Sequence, residues 1–260
     1  MLQTRNTGPK MDPRFEKLLR PLVRQATTVK LSKAPNAASK PATRTKFGGI
    51  PYSEAGDSWP ICPGCERGLN FICQLNLADC LHPEPVLRGL FVFYYCWECM
   101  PWGLPGDLKG TWLVRAYPRP GVDRIVQIQH GVKSVAPTIP CSVEMVIDLS
   151  LPDWDGIDVV CPAAAELSSK LDLDKPWAPY KAASMELTGN NGYATRIGGY
   201  PKWVQAESTP SCSVCTQRMR LLAQIDSEDE AGIMWGDVGC VYLFVCEQHP
   251  SELKLELQCH

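Results

Sequence analysis

Histidine is scarce in this chain: His82, His130, His249 and His260 are the only four in 260 residues. That leaves little room for chemistry built on imidazole. No G-x-S-x-G elbow, H-E-x-x-H helix, phosphate loop or dinucleotide fingerprint occurs. An enzyme of unrecognised class that uses paired carboxylates stays open, because sequence alone does not show which Asp and Glu converge. Apolar runs are short as well, well below the ~20 residues that cross a bilayer, so no membrane span is expected. Met1 to Lys10 lacks the apolar core of a secretory leader. Cysteine is the opposite case, with thirteen. An odd count without a leader points to a reducing cytoplasm rather than to a secreted disulfide scaffold.

Net charge is −2, unevenly spread. Residues 1–46 hold eleven Lys/Arg and two Asp/Glu, about +9, which leaves about −11 for residues 47–260. An acidic body repels a phosphate backbone, so nucleic-acid binding by it is unfavourable, whereas a basic protein would be attracted.

The strongest pattern is a repeat. Gly48, Gly49, Pro51, Cys62, Cys65, Gln74, Gly89 and Cys96 return as Gly198, Gly199, Pro201, Cys212, Cys215, Gln224, Gly239 and Cys246, all 150 residues later (198 − 48) without a gap. Cys99 maps onto His249. One copy therefore reads C-x2-C…C-x2-C and the other C-x2-C…C-x2-H, and both are zinc-ligand sets. Incidental cysteines would not be expected to exchange for histidine in register. Iron or an iron–sulfur centre is the rival metal reading.

Four ligands leave no position for a catalytic water, so both sets, Cys62, Cys65, Cys96, Cys99 and Cys212, Cys215, Cys246, His249, read as structural. Thirty residues separate the pairs in each copy. The second pair must therefore return from a hairpin or sheet. Cys73, Cys80, Cys141, Cys161, Cys240 and Cys259 read as small hydrophobes.

Along the chain, Asp12 caps an amphipathic helix bearing Phe15, Leu18, Leu19, Leu22 and Val23, which Pro21 should kink or end. Residues 1–10 read as disordered and 27–46 as a linker or extended arm. Strands are expected over 71–77, 89–95, 111–117, 143–149 and 239–245, and a helix over 162–171. Residues 172–191 read as irregular up to the turn Gly189-Asn190-Asn191-Gly192. Gln74 and Gln224, polar inside apolar runs, should satisfy backbone groups. The acidic Asp226 to Glu230 reads as a solvated turn. The expected class is α+β, predominantly β, internally duplicated into two pseudo-symmetric sheet lobes with a few peripheral helices. The boundaries are 1–46, 47–150, 151–195 and 196–260.

Phe47-Gly48-Gly49-Ile50-Pro51, Trp59-Pro60, Gln74-Leu75-Asn76-Leu77 and Trp235-Gly236-Asp237-Val238-Gly239 resemble the YwqG-like bacterial proteins of unknown function, a family with a duplicated β-rich fold. The cysteine pairs are similar to those of the programmed-cell-death-protein-two family, chaperones of a basic ribosomal protein. That resemblance implies metal roles for the eight ligand residues and nothing catalytic. It lacks the zinc-finger insertion of the eukaryotic proteins, so no client is implied. Two function classes follow beside the enzyme: a non-enzymatic, zinc-stapled binding module for a basic protein, chaperone-like in character, or an immunity or antitoxin-type protein that blocks a toxin.

Overall fold

The computed structural model describes residues 11–34, 42–80, 88–99, 110–129, 137–189 and 192–260. The expectations for residues 1–10, for His82 and His130, and for Asn190 and Asn191 lie outside that set.

The chain is predominantly β. Among the described residues ten strands form one antiparallel sheet: β1 (Arg24–Lys33), β2 (Lys46–Phe47), β3 (Asn70–Asn76), β4 (Leu90–Tyr95), β5 (Trp112–Tyr117), β6 (Cys141–Ser150), β7 (Arg196–Gly198), β8 (Arg220–Asp226), β9 (Cys240–Val245) and β10 (Leu253–Gln258). Their order is β10-β9-β8-β7-β1-β6-β2-β3-β4-β5. A long β1–β6 pair, in register from Arg24↔Ser150 to Lys33↔Cys141, thus carries a four-strand flank on each side.

This corrects the expectation of two separate sheet lobes. The missing link was β1. Its residues read as an arm because Thr, Lys and Ser dominate it, yet Ala26, Thr27 and Val29 are buried. Long polar side chains on the other positions are compatible with a strand whose backbone is paired on both sides. The charge split changes with it. Arg24, Lys30 and Lys33 belong to the sheet, and the chain from Met11 onward carries −4, the total of −2 less the +2 of Arg5 and Lys10.

Both faces of the inner flank strands are covered, which explains their unbroken apolar runs. Phe91, Phe93 and Tyr95 of β4 and Val241, Leu243 and Val245 of β9 point into one shared core, where Trp235 meets Tyr95 at 5.0 Å and Trp97 at 4.7 Å between ring centroids. The sheet therefore curls towards a barrel and joins the flanks through a single interior. The opposite faces carry smaller cores. Leu90, Val92 and Tyr94 pack with Tyr52 and Leu69 on one flank, and Tyr242 and Phe244 pack with Trp203 and Met219 on the other.

Four helices, α1 (Pro13–Leu19), α2 (Trp154–Val160), α3 (Pro162–Leu171) and α4 (Trp177–Thr188), share a core of Phe15, Leu19, Ile157, Leu167 and Tyr180. Asp12 caps α1 through the Arg14 N–H, and the chain tightens into a 3-10 turn at Arg20–Leu22 where Pro21 stands. Helix α4 replaces the irregular stretch expected there. Its only internal proline, Pro179, lies in the first turn, where no helical N–H is lost, and Gly189 closes it in the left-handed conformation. Among the described residues no helix is long and apolar enough to cross a membrane.

Candidate metal centres

Each first cysteine pair sits on a miniature hairpin just before an inner strand. In the first, Cys62 N–H donates to the Arg67 carbonyl at 2.8 Å, Glu66 N–H donates to the Cys62 carbonyl at 2.9 Å, and Ile61 bridges Gly68. The turn closes with Glu66 at φ 59°. The second repeats this bond for bond: Cys212 to Gln217 at 2.9 Å, Thr216 to Cys212 at 3.0 Å, Ser211 opposite Arg218, and Thr216 at φ 59°. The second pairs begin at the residue after β4 and after β9. There Cys96 N–H donates to Thr111 and Cys246 N–H to Glu252.

The fold brings all eight expected ligands together in two groups. Cys62, Cys65, Cys96 and Cys99 form one tetrad and Cys212, Cys215, Cys246 and His249 the other, and within each the donor atoms lie within 4.8 Å of one another. Cys65 Sγ and Cys96 Sγ are 3.7 Å apart, and Cys215 Sγ and Cys246 Sγ are 3.6 Å apart. A tetrahedral ion with metal–sulfur bonds of about 2.3 Å separates its thiolates by roughly 3.8 Å. A disulfide would bring them to about 2.0 Å, and all thirteen cysteines are free. Nδ1 of His249 stands 3.7 Å from both Cys212 Sγ and Cys246 Sγ, so this ring nitrogen is the one turned inward. Both donor sets fit a metal ion.

In each tetrad the surroundings favour one thiolate, while burial and the neighbouring thiols push Cys96 and Cys99 up and Cys215 is raised as well. Burial opposes ionisation of Cys62, but the N–H groups of Cys65 and Gly64 outweigh it and hold the thiol below its usual range. Burial likewise opposes Cys212, whose pKa nevertheless falls to about 6 because the Cys215 and Val214 N–H groups point at it. Val214 N–H lies 3.4 Å from Cys212 Sγ, and Cys99 N–H 3.4 Å from Cys96 Sγ. Such outer donors fix sulfur ligands in place. Gly64 was not singled out in the sequence. A Cβ there would meet Cys99 Sγ at 2.9 Å, and the Pro-Gly between the cysteines was the available sign.

The chain belongs to a family known only as a domain of unknown function (DUF1963), whose model matches residues 45–254. That span takes in both tetrads and every strand from β2 to β9. A shorter stretch is similar to the uncharacterized protein YpfL of Salmonella typhimurium, 38% identical over 52 residues, which is 20% of this chain and 12% of that protein.

Gln74 and Gln224 do what their place in apolar runs suggested. Gln74 accepts from Tyr52 N–H at 2.8 Å and donates to the Ala42 and Arg44 carbonyls. Gln224 accepts from Lys202 N–H at 2.8 Å and donates to the Ala194 carbonyl. They tie the segment after each Gly-Gly-x-Pro turn to the sheet. Cys259 and His260 join neither tetrad. Trp235 is fully buried in the shared core, so Trp-Gly-Asp reads as packing.

Proposed function

We propose that this protein is a non-enzymatic binding scaffold, stapled by two structural zinc ions and built from a duplicated unit, that serves a basic protein segment in a reducing cytoplasm. The observation that carries the reading is the closed donor set at each strand end, four ligand atoms within 4.8 Å, with no fifth His, Cys, Asp or Glu among the described residues in either group. A closed set of this kind stabilises a fold and leaves no place for a substrate or an activated water. Zinc suits donors gathered round one point, whereas an iron–sulfur cluster would spread its thiolates over several irons.

The duplicated unit is supported by registers that match at an offset of 150. Gln74↔Val92 and Leu75↔Phe91 correspond to Gln224↔Tyr242 and Ile225↔Val241, and both strand pairs slip register at the same place, after Phe71 and after Leu221. The likeness of the cysteine pairs to the programmed-cell-death-protein-two family agrees with a chaperone-like role. The basic client rests on the excess of acid in residues 47–260, partly offset by β1. Affinity capture from the native host at low and at high salt tests this half of the reading. A recurrent basic protein should be retained at low salt and lost as the Debye length shrinks from about 10 Å to about 3 Å. Retention that does not respond to salt would refute electrostatic recognition.

A further inference from the structure

Beside α2, on the outer face of the C-terminal flank, lies a cleft of about 380 Å³. Small-molecule sites commonly have this size. It is separate from both tetrads. Trp203, Leu221 and Phe244 contribute its apolar lining, with the Trp203 and Phe244 rings stacked at 6.0 Å. The charged groups at the cleft are engaged: Arg218 pairs with Glu207, Arg220 with Glu247, the Arg24 guanidinium lies 4.0 Å over the Tyr200 ring, and Asp153 accepts the Trp154 and Trp203 backbone N–H groups.

Two features bear on what the cleft can hold. Trp203 is only 2% exposed as a residue; its indole N–H has no hydrogen-bond partner among the described residues and is not one of the side-chain polar atoms sealed from solvent, and its backbone N–H donates to Asp153. Solvent reaches this donor at the cleft, so an acceptor on a ligand could take the place of water there. The second feature is Gly156, the third residue of α2 and buried. A Cβ at Gly156 would press on Glu207 Cγ at 3.0 Å and stand in contact with the indole Nε1 at 3.4 Å, so it would narrow the approach to the donor.

The other flank provides a contrast. Gly49, Trp59 and Phe71, each 150 residues before Gly199, Thr209 and Leu221, line a second hollow with Pro137 to Pro140, and among the described residues no charged side chain lines it. Its indole N–H is already used, because Trp59 Nε1 donates to the Leu69 carbonyl at 2.9 Å. The N-terminal hollow satisfies its own tryptophan, and the C-terminal cleft does not.

We infer that the C-terminal cleft binds a small organic ligand with a flat or branched apolar body and one carbonyl or carboxylate oxygen. The oxygen accepts the Trp203 indole N–H, the body lies on Leu221 and Phe244, and Gly156 keeps the approach clear. Phenylacetate and phenylacetamide, at millimolar concentration on the metal-loaded full chain, are suitable probes. Of the eight indole N–H resonances, the one missing in Trp203→Phe should move saturably with at least one probe. Gly156→Ala, with unchanged metal content and a cooperative melt, should weaken that response at least tenfold. Three results would overturn the assignment: no indole that responds saturably, a responding resonance that persists in Trp203→Phe, or a Gly156→Ala variant that binds as tightly as wild type.

Discussion

Replacing Gln224 by leucine keeps nearly the same volume and removes only the amide, so its cost isolates the polar role of one buried side chain. Gln224 is fully buried, and its Oε1 is the acceptor for the buried Lys202 N–H. A stranded buried donor costs about 1–3 kcal/mol. The Ala194 carbonyl that loses Nε2 is only partly buried and adds less, since water can reach it. Gln74→Leu strands the Tyr52 N–H in the same manner and releases the carbonyls of Ala42 and Arg44, also near the surface. The two variants should therefore lose similar stability, about 2–4 kcal/mol each, against a typical total of roughly 5–15 kcal/mol. Urea unfolding with zinc held constant measures this, since metal loading would otherwise shift the midpoint. The exposed Gln127→Leu serves as control and should stay within about 0.5 kcal/mol of wild type. If either buried glutamine behaves like Gln127, the amide does not hold the turn after Gly-Gly-x-Pro to the sheet.

Burial lowers the pKa of Lys202 from 10.5 to about 8. Between these values the unfolded chain binds the proton and the folded chain does not, so stability should rise with pH from about 8 to about 10.5. Lys202→Met removes that slope, and stability against pH for the two proteins checks it; parallel curves would refute the burial argument. At Gly239 a Cβ would come 2.2 Å from the Gln258 carbonyl oxygen and 2.5 Å from that of Trp235. Gly239→Ala must push β10 outward, and thermal denaturation should show a loss of about 1–3 kcal/mol. A neutral substitution would mean that the edge strand yields freely.

Much of this molecule could be read from sequence because its strongest constraints are local. Metal ligands need fixed spacing on a tight knuckle, and doubly covered strands need continuous apolar runs, so the tetrads and the strands β3, β4 and β9 lie close to where their residues put them. The central strand was hidden because pairing on both sides is a property of backbone. Nothing in Thr27-Thr28-Val29-Lys30 announces it. Helix α4 was hidden by its prolines, Pro176 and Pro179, which break a helix only away from its first turn. The cleft at Trp203 had no signal at all, because an unpartnered indole N–H is a fact of three-dimensional surroundings.

The central claim is that two unequal metal centres hold the flanks, and metal content measured on purified protein and its variants tests it most directly. Protein prepared in reducing buffer with trace zinc should carry two zinc ions per chain. His249→Cys keeps four tetrahedral donors and should retain both. His249→Ala leaves three donors and should weaken the second centre while the first stays loaded. Cys212→Ser/Cys215→Ser should lose one ion and much of the stability, because structural zinc in small domains binds with roughly 10–16 kcal/mol. Wild-type protein without zinc, or a Cys212→Ser/Cys215→Ser variant with wild-type metal content and melting, would contradict the account.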